Sequence, residues 1–232
     1  MVSQWTPVIA ERLSRVRALR RERDADRDLH ARVEAVKRFQ HARFMRDYAV
    51  LSSDPRYASA ARFFLEELYS PGEFAGRDTE FERVVPWAAR LLPSDLMRTI
   101  ADLIELHALT EELDQHMAYT LRSVDVDDAC YRAAWGKVAR RADRERQLEL
   151  LLAVGRELDR HTRSKALAAM LRMMRRPAQA AGLGRLQTFL EAGMAAFAEM
   201  RGAQTFLRTI ELNESRMIEI LFGGKQNPVR EI

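Results

Sequence analysis

Cysteine is almost missing from this 232-residue chain, and Cys130 is its only example. One thiol excludes an internal disulfide framework and any thiolate-rich zinc site built from a single chain. Proline and glycine are sparse, at seven and ten residues, which excludes collagen-like and low-complexity architectures. Lysine is scarcer still, four residues against 34 arginines; beside abundant alanine, that imbalance reads as GC-rich coding rather than as selection for phosphate contacts. No run approaches the roughly 18 uninterrupted apolar residues of a membrane span. Charges also interrupt the apolar positions of the opening MVSQWTPVIAERLSRVRALRR, so it lacks the apolar stretch of a secretory signal. The default expectation is a reducing, cytoplasmic setting.

What the chain does have is apolar residues in helical rhythm. Hydrophobic residues make up 47% of it and charged residues 31%, ample for a sizeable core. Ile9, Leu13, Val16 and Leu19 recur three or four apart, as do Leu29, Val33, Val36, Phe39 and Phe44. Thr6-Pro7 reads as an N-cap followed by a first-turn proline. Tyr57 to Tyr69 is apolar round most of its circumference and is expected at the centre of the fold. Further periodic runs follow from Leu96 to Leu121, around Trp135, from Leu148 to Leu158, from about Ser164 to Arg175, and in two closing segments. Pro177 and Gly182-Leu183-Gly184 punctuate the last quarter, and Met170, Met173 and Met174 read as adaptable core. No segment alternates as a strand does. The pattern predicts an all-α, single compact multi-helix bundle of roughly nine or ten helices spanning 1–232. Residues 1–28 are expected as a basic amphipathic arm and 29–224 as the body.

The charge is uneven. Residues 1–46 hold twelve basic against six acidic residues, whereas the other 186 hold 26 against 28. Arg12, Arg15, Arg20, Arg21 and Arg23 therefore form a candidate basic patch for nucleic acid or an anionic membrane surface. The competing reading is a helix packed on the body or on a second copy, its arginines solvated or balanced by neighbouring acids.

Candidate chemistry centres on histidines and carboxylates. His107 and Glu111 are four apart and share a helix face with Asp114. Glu66 and Glu67 sit in the most apolar helix, where one is expected to point inward. Glu66, Glu67, His107, Glu111 and Asp114 are thus candidate ligands for a metal inside a bundle. Against them, Glu-x-x-His, the repeat of di-iron bundles, occurs nowhere in the chain. A candidate ligand pocket combines Phe63, Phe64, Glu66, Glu67, Tyr69, Arg77, His107 and Glu111, with Arg77 placed to bind an anion or to pin a loop through the Arg77-Asp78 pair. Cys130 stands beside Asp127 and Asp128, which would raise its thiol. No nucleophile elbow or phosphate loop is present, and the residues imply no particular cofactor.

Several stretches occur together: Ala61-Arg62-Phe63-Phe64-Leu65-Glu66-Glu67-Leu68-Tyr69-Ser70-Pro71-Gly72-Glu73-Phe74 with Arg77-Asp78, then Glu105-Leu106-His107-Ala108-Leu109-Thr110-Glu111-Glu112-Leu113-Asp114, then Met173-Met174-Arg175-Arg176-Pro177-Ala178. In these the chain resembles an uncharacterised proteobacterial family of all-helical proteins of similar length, which implies a helical fold and brings no activity or cofactor. The reading that follows is a binding or regulatory module, with protein partners and a possible homodimer. The alternatives are a metal- or cofactor-dependent bundle enzyme using Glu66, Glu67, His107 and Glu111, and nucleic-acid binding through the N-terminal arginines.

Overall fold

Ile9, Leu13 and Val16 repeat every three or four residues and are all buried, so the first helix has one apolar stripe and must lay it against something. A computed structural model describes residues 4–67, 78–85 and 92–223, apart from the Glu67 side chain. There the stripe packs along a 27-residue helix in the middle of the chain. The described elements are α1 (Trp5–Ala25), α2 (Arg27–Asp47), α3 (Ala49–Ser53), α4 (Ala58–Glu67), α5 (78–85), α6 (Ser94–Thr120), α7 (Asp128–Val138), α8 (Arg141–Thr162), α9 (Lys165–Ala180), α10 (Gly184–Glu199) and α11 (Gln204–Phe222). No strand occurs among the described residues. The protein is all-α, and ten of the helices among the described residues have seven or more residues.

The long helix α6 is the axis, touching α1, α2, α7 and α8. The helix α4 is short but carries Phe63 and Phe64. Phe63 packs against Phe189 of α10, and Phe64 against Phe197 and Phe206. Most of the core lies around these rings. A second cluster joins α2, α6, α7 and α11 through Leu29, Val33, Met117, Tyr131, Trp135 and Ile218.

Local signals place several boundaries. Asp26 ends α1 and caps α2, accepting hydrogen bonds from the backbone N–H of Asp28 and Leu29. Asp127 caps α7 and Ser164 caps α9 in the same way, each supplying an acceptor that the first turn lacks. At other positions the structure corrects the sequence reading. The first helix begins at Trp5 rather than after Thr6; Pro7 is tolerated inside because first-turn N–H groups have no helical acceptor to lose. Pro177 does not stop α9 but lies within it. The carbonyl it leaves unpaired is that of Met173, a residue 78% exposed, where water can satisfy it. That exposure, with 41% at Met170, also removes two members of the methionine cluster from the core. Pro86, where a proline inside the apolar pattern predicts a kink, lies outside the described residues.

Candidate functional site

The carboxylates singled out on α6 and the phenylalanines singled out on α4 belong to two separate places. The first is a buried charge cluster where α1, α2 and α5 meet α6. Glu111 is its centre. Arg23 Nη2 donates to Glu111 Oε2 at 2.6 Å, and Lys37 Nζ donates to Oε1 at 2.7 Å. Burial pushes this carboxyl up, but Lys37, His107 and Arg23 outweigh it and hold the group well below the usual carboxylate range. One turn along, Asp114 accepts from Gln40 Nε2 at 2.9 Å. Its surroundings have the opposite effect: burial raises the carboxyl, and Lys37 and Arg144 only partly offset this.

His107 lies one turn before Glu111, with Nε2 2.9 Å from Asp78 Oδ2. A carboxylate can only accept, so Nε2 carries the proton. Arg20 Nη2 reaches the same oxygen at 2.6 Å. Asp78 is itself helical, and this carboxylate ties α5 to both α1 and α6. Further pairs extend the seam. Arg12 Nε donates to Glu105 at 2.8 Å, Arg17 Nη1 to Glu82 at 2.9 Å, and Glu112 is shared by Arg15 and Arg140. Four of the five arginines of the candidate basic patch therefore end on carboxylates of α5 or α6. Arg21 is exposed, with no ion pair among the described residues.

The second place is a cavity of about 170 Å³ lined by α4, α6, α8, α9 and α10 and open to solvent beside Met170. Phe63 and Phe64 form one wall; Leu96, Ile100, Leu103 and Leu106 form the α6 side; Leu151, Val154 and Leu158 come from α8. Leu167, Met170 and Leu171 of α9 and Phe189, Leu190 and Met194 of α10 complete it. A glycine sits at this wall: a Cβ on Gly193 would stand 2.9 Å from the Phe63 ring. Gly155, on the α8 side, instead allows close approach to Leu207 of α11, outside the lining. Among the described residues, the hydrogen-bonding side chains in the lining are Thr99 and His161. The Thr99 hydroxyl donates to the Asp95 carbonyl at 3.1 Å. The His161 Nε2 atom is buried without a hydrogen-bond partner, 3.8 Å from Glu157 Oε2.

The candidate residues thus divide. Phe63 and Phe64 line the cavity, His107, Glu111 and Asp114 belong to the charge cluster, and Glu66 is exposed. Tyr69, Arg77 and the Glu67 side chain lie outside the described residues. Among the described residues no three His, Cys, Asp or Glu side chains converge as a metal site would require. Cys130 is exposed on α7, and its hydrogen bond to Asp127 raises the thiol. Sequence reading passed over Lys37 and Gln40, although the signal was available: they follow Val33 and Val36 by four residues and so continue the buried stripe of α2. It also passed over the cavity, whose α8 and α10 walls carry no distinguishing residue type.

No helix among the described residues is long and apolar enough to cross a membrane. The chain matches no curated protein and no solved structure. A family model described as a domain of unknown function, DUF8198, matches residues 19–228, from the middle of α1 to beyond α11. Its reach across α4, α6 and the closing helices includes the cavity and nearly all of the charge cluster, and the chain belongs to this DUF8198 family.

Proposed function

We propose that this protein is a binding module that takes a small apolar molecule into the cavity among α4, α6, α8, α9 and α10. The supporting observation is the cavity itself, about 170 Å³ with a lining apolar but for Thr99 and His161. An apolar molecule seated there gains roughly 25 cal/mol for each Å² of apolar surface it removes from water. For scale, an engineered apolar cavity of about 150 Å³ admits benzene. The fitting ligand is therefore a small aromatic ring or a short aliphatic chain rather than a nucleotide or sugar.

The test is thermal and calorimetric titration with benzene, indole and short alkanes. Binding should raise the melting temperature and show a negative heat-capacity change. At a free concentration of about 100 times Kd the gain is roughly 2.7 kcal/mol. Leu103→Trp, which fills the cavity from the α6 side, should abolish the response. The proposal fails if no probe raises the melting temperature of the unsubstituted protein, or if Leu103→Trp responds equally.

A further inference from the structure

We propose that α9 is a docking surface for an anionic lipid bilayer, an inference that rests on the outer face of α9 and shares only Met170 with the cavity lining. The helix carries Lys165, Arg172, Arg175 and Arg176 and no acidic residue at all. At 100° per residue Lys165, Arg172 and Arg176 fall within about 40° of one another, and all three are exposed. None of the three makes an ion pair with a carboxylate among the described residues. Arg175 alone is tied down, donating to Glu191 with Nη2 at 2.6 Å, a carboxylate that Arg172 influences only from farther away.

Beside this cationic face runs an apolar edge. Met173 and Met170 are 78% and 41% exposed, and both lie on the same flank of the cationic row. An arrangement in which cationic side chains border exposed apolar ones fits the boundary between lipid headgroups and acyl chains. Nucleic acid would use the charge but gains nothing from unbranched thioethers, and no aromatic side chain stands on α9 to stack a base.

The attachment of α9 also suits a surface element. Only Ala178 of its 16 residues is buried, and a Gln187 Nε2 bond to the Leu171 carbonyl at 2.7 Å supplements the Arg175 pair. The helix leaves the body between the Ser164 cap and Gly182, whose φ of +69° belongs to the left-handed region.

The experiment is co-sedimentation of the full chain with phosphatidylcholine vesicles, with and without phosphatidylglycerol. Binding is expected only to the anionic vesicles, and it should weaken as salt rises. Arg172→Ala combined with Arg176→Ala should cut partitioning roughly thirtyfold, about fivefold for each further factor of one charge near the surface. Met173→Ser should weaken binding without changing its salt dependence. Arg21→Ala, which removes an exposed arginine from α1, should bind like the unsubstituted protein. Circular dichroism and melting curves establish that each surface variant is folded. Equal binding to neutral vesicles, no vesicle binding, or unchanged binding by the double variant overturns the proposal. So does salt-sensitive binding to duplex DNA that the double variant loses while vesicles are ignored.

Discussion

The helices α1 and α9 are both arginine-rich, yet they dispose of their charge in opposite ways. The first carries six arginines and three acids, and five of those arginines reach carboxylates on other helices. The other has four basic residues and one such pair. The difference lies in what each helix faces. Opposite α1 stands α6, with Glu105, Glu111 and Glu112 at intervals that a neighbouring helix can meet, whereas α9 covers an apolar cavity and turns its cations to solvent. Basic composition alone therefore does not identify a basic surface; the partner helix decides it.

That contrast can be broken most sharply at Glu111. Removing its carboxylate by Glu111→Ala strands Arg23 and Lys37 in the interior, and urea denaturation should register a loss of about 3–5 kcal/mol. Next comes Arg20→Ala. Asp78 keeps His107 as a partner, so the loss should be smaller, about 2 kcal/mol by the same measurement.

Asp114 should respond with the opposite sign. Its folded-state carboxyl lies above the ordinary range, so what it contributes to stability is present below that range and lost as pH rises through the elevated value. Asp114→Asn keeps an acceptor for Gln40 while removing the charge, and should raise the melting temperature near neutral pH with no gain in acid. Glu111 behaves in the reverse sense: its depressed carboxyl supports the fold at neutral pH, and that support is lost only as pH falls into strongly acidic conditions. The smallest effect belongs to α9. Arg172→Ala with Arg176→Ala should leave the melting temperature unchanged, because neither guanidinium is held by an ion pair. A large loss there would dissolve the contrast between the two helices.

The fold was legible where spacing and caps agreed. The stripe of α1, the length of α6 and the start of α9 near Ser164 all follow from residue order, since each is decided within a few turns. The candidate site was legible only in part. His107, Glu111 and Asp114 do share a face, as their spacing requires, but their partners Arg23, Lys37, Gln40 and Asp78 come from three other elements that no local rule brings together. Likewise Phe63 and Phe64 stand out in the sequence as core aromatics. That they border a space rather than fill it depends on how α8, α9 and α10 pack around them. Pro177 misled for a related reason: whether proline ends a helix depends on whether water can reach the carbonyl it releases, which is a property of the assembled surface.

The close approach of Gly193 to the Phe63 ring carries one more consequence. The two positions share a single volume: a side chain at 193 meets the tip of the ring at 2.9 Å and would push it toward the cavity, and a smaller residue at 63 enlarges the cavity. Relatives with a different residue at one position should carry a compensating change at the other. The pair would then act as a gauge of ligand size, recording in paired substitutions how large a molecule each relative admits.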